Sequence, residues 1–154
     1  ETGLFMTPWP LVVAIMAPIG GRLSDRFSAG ILGGLGLVLL GVGMALLAAL
    51  PADPSVANIV WRMVICGAGF GFFQAPNMKA IMSSAPAGRS GGASGIVATA
   101  RLTGQSTGAA LAAFCFGLFG HAGATWALAL GGVFAAIGCV MSFLRLVVQQ
   151  PTDA

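Results

Sequence analysis

Apolar residues gather in five long runs, at about residues 3–20, 31–50, 58–83, 91–119 and 122–148, and the charges fall almost entirely between them. Each run is close to the ~20 residues that a helix needs to cross ~30 Å of hydrocarbon. No strict polar–apolar alternation is sustained over several segments, so a transmembrane β-barrel is not expected. The pattern predicts an all-α fold, a polytopic membrane helix bundle of five transmembrane helices over residues 1–148, with a short tail at 149–154. Pro8, Pro10 and Pro18 lie in the first run, where a lipid-embedded helix tolerates proline better than a soluble one does. The second run carries no charge and stops at Pro51-Ala52-Asp53-Pro54, a turn signal.

Composition sharpens this into a membrane assignment. Only 7% of the residues are charged, 57% are apolar and 24 are glycine, whereas a soluble domain carries about 25% charge. So much apolar surface must face lipid. The chain opens on Glu1 and enters an apolar run almost at once, with no basic leader, so the first run is not a signal peptide.

Charge placement then gives orientation. Arg22 and Arg26 follow the first run, Lys79 and Arg89 flank the end of the third, and Arg145 closes the fifth. Asp53 and His121 follow the second and fourth. Basic residues thus fall on alternate sides, and the positive-inside rule puts them in the cytoplasm of a cell inner (plasma) membrane. The N-terminus is expected outside and the C-terminus in the cytoplasm. Arg62, beside Trp61, is expected to snorkel outward into the interface. Five spans with an exterior start look like a half-transporter of six spans that lacks its first helix, so the chain is expected to be a fragment.

Few residues suit soluble chemistry. The seven basic residues are dispersed, so nucleic acid is not an expected partner. Cys66, Cys115 and Cys139 lie inside apolar runs without metal-ligand spacing, and one histidine cannot assemble a metal cluster or a catalytic triad. No metal, cofactor or enzyme activity is expected. Gly67-Ala68-Gly69-Phe70-Gly71 has Phe72 where a dinucleotide loop wants glycine, and no strand precedes it. Glycine pairs four residues apart (Gly30 and Gly34, Gly67 and Gly71, Gly91 and Gly95, Gly104 and Gly108) instead read as faces for close helix packing.

Two polar stripes are candidates for a cavity. Arg101 lies about ten residues into the fourth run, near the midplane, where an arginine costs ~2.5–3.5 kcal/mol to insert. Ser94, Ala98, Arg101, Gln105 and Gly108 share one helical face with it. On the third run Gly67, Phe70, Gly71, Gln74 and Asn77 recur at helical spacing, and Pro76 frees a carbonyl one turn earlier. Gln74 and Asn77 can bond a substrate or tie helices together. All four carboxylates, Glu1, Asp25, Asp53 and Asp153, lie in loops or at termini. A proton-coupled carrier needs a titratable group within the membrane, so that group would come from outside this chain, and Arg101 would be its natural partner.

Gly3 to Pro8 followed by Pro18-Ile19-Gly20-Gly21-Arg22-Leu23-Ser24-Asp25-Arg26, the Gly67–Gly71 run leading to Pro76, Arg89 to Gly95, and Arg101-Leu102-Thr103-Gly104-Gln105-Ser106-Thr107-Gly108 occur in that order. With these motifs the chain resembles the C-terminal half of a major facilitator superfamily transporter, in particular the fourteen-span drug:proton antiporters of bacteria. The loop motif departs from its full form, since Ser28-Ala29-Gly30 stands where basic residues would continue it. The resemblance implies export of small amphipathic or cationic compounds in exchange for protons, by rocking against a missing N-terminal half. It implies a cytoplasmic latch at Arg22, Asp25 and Arg26. The alternatives are a non-transporting membrane scaffold or regulatory subunit, and a metabolite carrier of the same fold.

Overall fold

The computed structural model describes residues 8–148 apart from 52 and 87, and over them the chain is helical with short connections. We number the helices α1 (Pro8–Leu23), α2 (Ala29–Ala48), α3 (Val56–Ser83), α4 (Ser90–Phe119) and α5 (Gly123–Val148), with a single 3-10 turn, Gly120–Ala122, joining the last two. Residues 3–7 of the first expected span and the tail at 149–154 lie outside the described residues. Serine sets two of the boundaries. The Ser28 hydroxyl accepts from the Ile31 amide at 3.4 Å and the Ser55 hydroxyl from the Asn58 amide at 3.3 Å, so α2 and α3 each begin one residue after an N-cap.

The expected count of five crossings is not matched on length and apolarity. Among the described residues three stretches qualify: Ala29–Ala48, Val56–Ser83 and the helical run Ser90–Leu146. The last contains both α4 and α5 together with the short turn between them. The apolar part of α1, Trp9–Leu23, is shorter than the rest.

α2 is the centre of the bundle. It packs against α3 on one side and α5 on the other, while α1 lies on the far face of α3. Small residues make these contacts. Of the buried residues of α2, five are glycines: Gly30, Gly33, Gly34, Gly36 and Gly43. A methyl on Gly36 would sit 2.6 Å from the Phe73 amide nitrogen, so α2 and α3 touch backbone to backbone there. Lipid tails are as apolar as leucine, so helices in a bilayer associate through this kind of close approach and not through a greasy core. The buried cluster is correspondingly small, Leu37, Leu40 and Cys66, with Trp9, Phe70 and Phe73 packed around it.

Two of the expected glycine faces make such contacts and two do not. Gly30 and Gly34 face Leu146 and Phe143 of α5, and Gly67 and Gly71 face Val12 and Met16 of α1. A methyl on Gly91, Gly95, Gly104 or Gly108 of α4 would meet nothing within 4 Å. α4 rests on α5 and only lightly on α3, and Cys115 is its one buried residue. Its remaining surface is open, and so is the apolar outer face of α5, where Val133, Phe134, Ile137 and Val140 are exposed.

Arg62 corrects the expectation of outward snorkelling. Its guanidinium turns inward and Nη1 donates to the Leu46 carbonyl in the last turn of α2. The last four carbonyls of a helix have no intrahelical partner and carry the negative end of its dipole. A cation one helix away is drawn to that end more strongly than to the interface. Trp61 still flanks it, with the guanidinium carbon 5.1 Å from the ring centroid.

Candidate substrate groove

The polar stripe of α4 comes together in space. Ser94, Ala98, Arg101 and Gln105 line one open groove of about 490 Å³, and Met78 and Met82 of α3 form its opposite wall. Spacings of four, three and four residues hold these side chains on one face of an unbroken helix. The Ser94 hydroxyl donates back to the Ser90 carbonyl at 2.9 Å and lies 3.8 Å from the Met82 sulfur. Arg101 and Gln105 are exposed along the groove, and neither has a hydrogen-bond or ion-pair partner among the described residues. Gly108 continues the stripe past the groove and faces a crevice against α5 instead.

Gln74 lies in a second groove, of about 470 Å³, between α1 and α3. Met78 and Met82 are common to both grooves, so the two hollows run along either side of one methionine ridge. Asn77, three residues on from Gln74, points elsewhere. Its side-chain oxygen accepts from Arg145 Nη1 of α5 at 3.2 Å, which makes it a tie between helices and not a groove residue. Gly67 and Gly71 lie under α1 and do not reach either groove.

The loop charges are arranged differently from the sequence pattern. Asp25 pairs with Lys79 at the end of α3, 54 residues away, and not with Arg22 or Arg26. Both arginines are exposed. Lys79 is the functional candidate that sequence reading passed over. The signal was there in its position, since the ends of the first and third runs must lie on the same side. Arg22, Arg26, Lys79 and Arg145 all belong to this one end of the bundle, where α5 also ties back to α2 through Ser142 Oγ donating to the Gly30 carbonyl at 2.9 Å.

A further hollow, of about 900 Å³ between α2 and α5, is lined by Leu, Val, Ala, Gly and Cys139. It has no charged or amide side chain among the described residues to orient a solute. Among the described residues no cluster of His, Cys, Asp or Glu can hold a metal ion.

The family model for the Major Facilitator Superfamily matches residues 1–154. The chain belongs to the major facilitator superfamily. Among curated relatives of this superfamily chain, "Uncharacterized transporter YebQ" of Escherichia coli K12 is 51% identical over 95% of the chain and 32% of its own length. "Riboflavin transporter RibZ" of Clostridioides difficile is 31% identical over 64% of the chain and 22% of its length. "Multidrug resistance protein Stp" of Mycobacterium tuberculosis is 34% identical over 71% of the chain and 20% of its length. The chain thus spans a third or less of the curated relatives it matches. No solved structure matches. Major facilitator membership makes this a multi-pass membrane protein in contact with lipid.

Proposed function

We propose that the full-length protein is a secondary active transporter that exports amphipathic small molecules in exchange for protons by alternating access, and that this chain is part of its C-terminal half. The observation that carries this reading is the polar stripe of Ser94, Arg101 and Gln105 on the open side of α4 in a major facilitator chain. A midplane arginine is too costly to leave against lipid. It is accounted for when an N-terminal half closes over α4 and turns the groove into one wall of a central cavity. The likeness to a multidrug resistance protein supports drug efflux.

In this reading the basic end of the bundle is cytoplasmic, and the protein lies in the bacterial inner membrane. The pair of Asp25 and Lys79, flanked by Arg22 and Arg26, is the cytoplasmic latch. The described acids Asp25 and Asp53 are both in connections between helices. The proton-carrying group therefore belongs to the rest of the transporter. The likeness to a riboflavin transporter favours a second reading, a metabolite carrier of the same fold.

A resistance and dye-efflux panel on cells expressing the full-length protein tests the first reading. Export that stops with a protonophore supports it, and replacing Arg101 with Ala should abolish that export while membrane insertion stays normal. Riboflavin-type uptake with no efflux of any dye favours the carrier. No transport in either direction overturns both.

A further inference from the structure

We propose that the groove between α3 and α4 takes the acidic head of an amphipathic organic anion, a carboxylate joined to a ring or chain, with Arg101 as its counter-charge. This narrows the substrate class of the transporter reading above and rests on it. Among the described residues Arg101 is the only charged one lining that groove, and Gln105 one turn away is a polar companion on the same face. The next groove across the methionine ridge has one charged group, Lys79, and that ammonium is already paired with Asp25. Among the described residues neither groove is lined by a carboxylate. A cationic amphiphile entering here would therefore meet a like charge and find no acid of the described residues to offset it, a cost that grows as water is excluded.

The donor set fits a carboxylate. A guanidinium presents a planar fork of N–H groups that meets two carboxylate oxygens at once. The carboxamide of Gln105 adds donors one turn along the same face. The opposite wall fits the rest of the molecule. Met78 and Met82 are unbranched, polarizable side chains that repack around differing apolar bodies. The groove's volume of about 490 Å³ falls within the range of ~300–1,000 Å³ common for small-molecule sites. The competing account gives Arg101 a carboxylate from another part of the transporter, which would leave no free donor for a substrate.

The test uses the full-length protein in phosphatidylcholine nanodiscs and two probes with the same ring and opposite charge, naphthalene-2-carboxylate and naphthalen-2-ylmethylammonium. Isothermal titration should show the carboxylate binding at least ~tenfold tighter. Arg101→Gln should remove that advantage, Arg101→Lys should keep part of it, and Met78→Ala should weaken both probes alike. Should Arg101→Gln fail to purify, Gln105→Leu carries the comparison, with a several-fold loss for the carboxylate alone. Equal or tighter binding of the ammonium, carboxylate binding that survives Arg101→Gln, or binding of neither probe would each overturn the inference. Proton-driven dye export is measured on the same preparation in proteoliposomes. Export without a carboxylate preference removes this inference and leaves the transporter reading standing. Carboxylate binding without any export does the reverse.

Discussion

Gly36 of α2 and Gly69 of α3 meet at a backbone crossing, where a methyl added to Gly36 would stand 2.8 Å from the Gly69 carbonyl oxygen. Side chains cannot give way there, because the obstacle is main chain. Replacing Gly36 with Ala is expected to destabilise the bundle by about 1–3 kcal/mol, the usual cost of forcing a methyl into a packed site. Thermal unfolding in detergent, with Gly21→Ala as the uncrowded control, reads this directly, since a methyl added to Gly21 would meet nothing within 4 Å. Equal melting of the two variants would mean that α2 and α3 do not cross at this point.

The glycines of α4 should behave in the opposite way. Gly95→Ala and Gly104→Ala meet nothing in this chain, so on this chain by itself they are neutral or slightly stabilising, Ala being better in a helix by about 1 kcal/mol. In the full-length transporter the same substitutions should lower the melting temperature if the open face of α4 is where the other half docks. A full-length protein indifferent to both would leave that face to lipid.

Asp25 and Lys79 are both more than half exposed, so their pair should be worth at most about 1 kcal/mol in stability. The proposed latch predicts a larger effect on transport than on melting. Asp25→Lys should impair export, and Lys79→Asp in the same protein should restore it by re-forming the pair with the charges exchanged. No recovery in the double variant would remove the latch role.

Arg62→Met is expected to destabilise α2 by about 1–3 kcal/mol, the cost of leaving the Leu46 carbonyl without its donor. Arg62→Lys should recover part of that, since an ammonium still sees the helix dipole but lacks the reach of the guanidinium. Thermal melting of the three proteins side by side checks the order.

The helices were legible because apolar runs of membrane length have few alternative structures. The stripe through Ser94, Arg101 and Gln105 was legible too, since helical periodicity alone puts these residues on one face. The crossing points were not. With 24 glycines in the chain, spacing cannot say that Gly36 and Gly43 carry the contacts while Gly91 and Gly95 carry none. That depends on which helix arrives at each face. Asn77 and Gln74 show the same limit. They are three residues apart and alike in chemistry, yet Arg145 arrives from 68 residues away to claim one of them. Topology puts Lys79 on the same side as Asp25, but that the two pair, and that Leu46 serves Arg62, becomes visible only when the bundle closes.

The turn Gly120–Ala122 bears on how the protein is made. Three residues, with Phe119 stacked on Trp126 at 5.0 Å across them, leave no slack for α4 to enter the bilayer before α5 follows. The two helices must pass into the membrane as one hairpin. An arginine at mid-span burdens a solitary segment with ~2.5–3.5 kcal/mol, but a hairpin divides that burden over twice the apolar length. Insertion of the charged α4 is therefore expected to depend on the strongly apolar α5 following it directly.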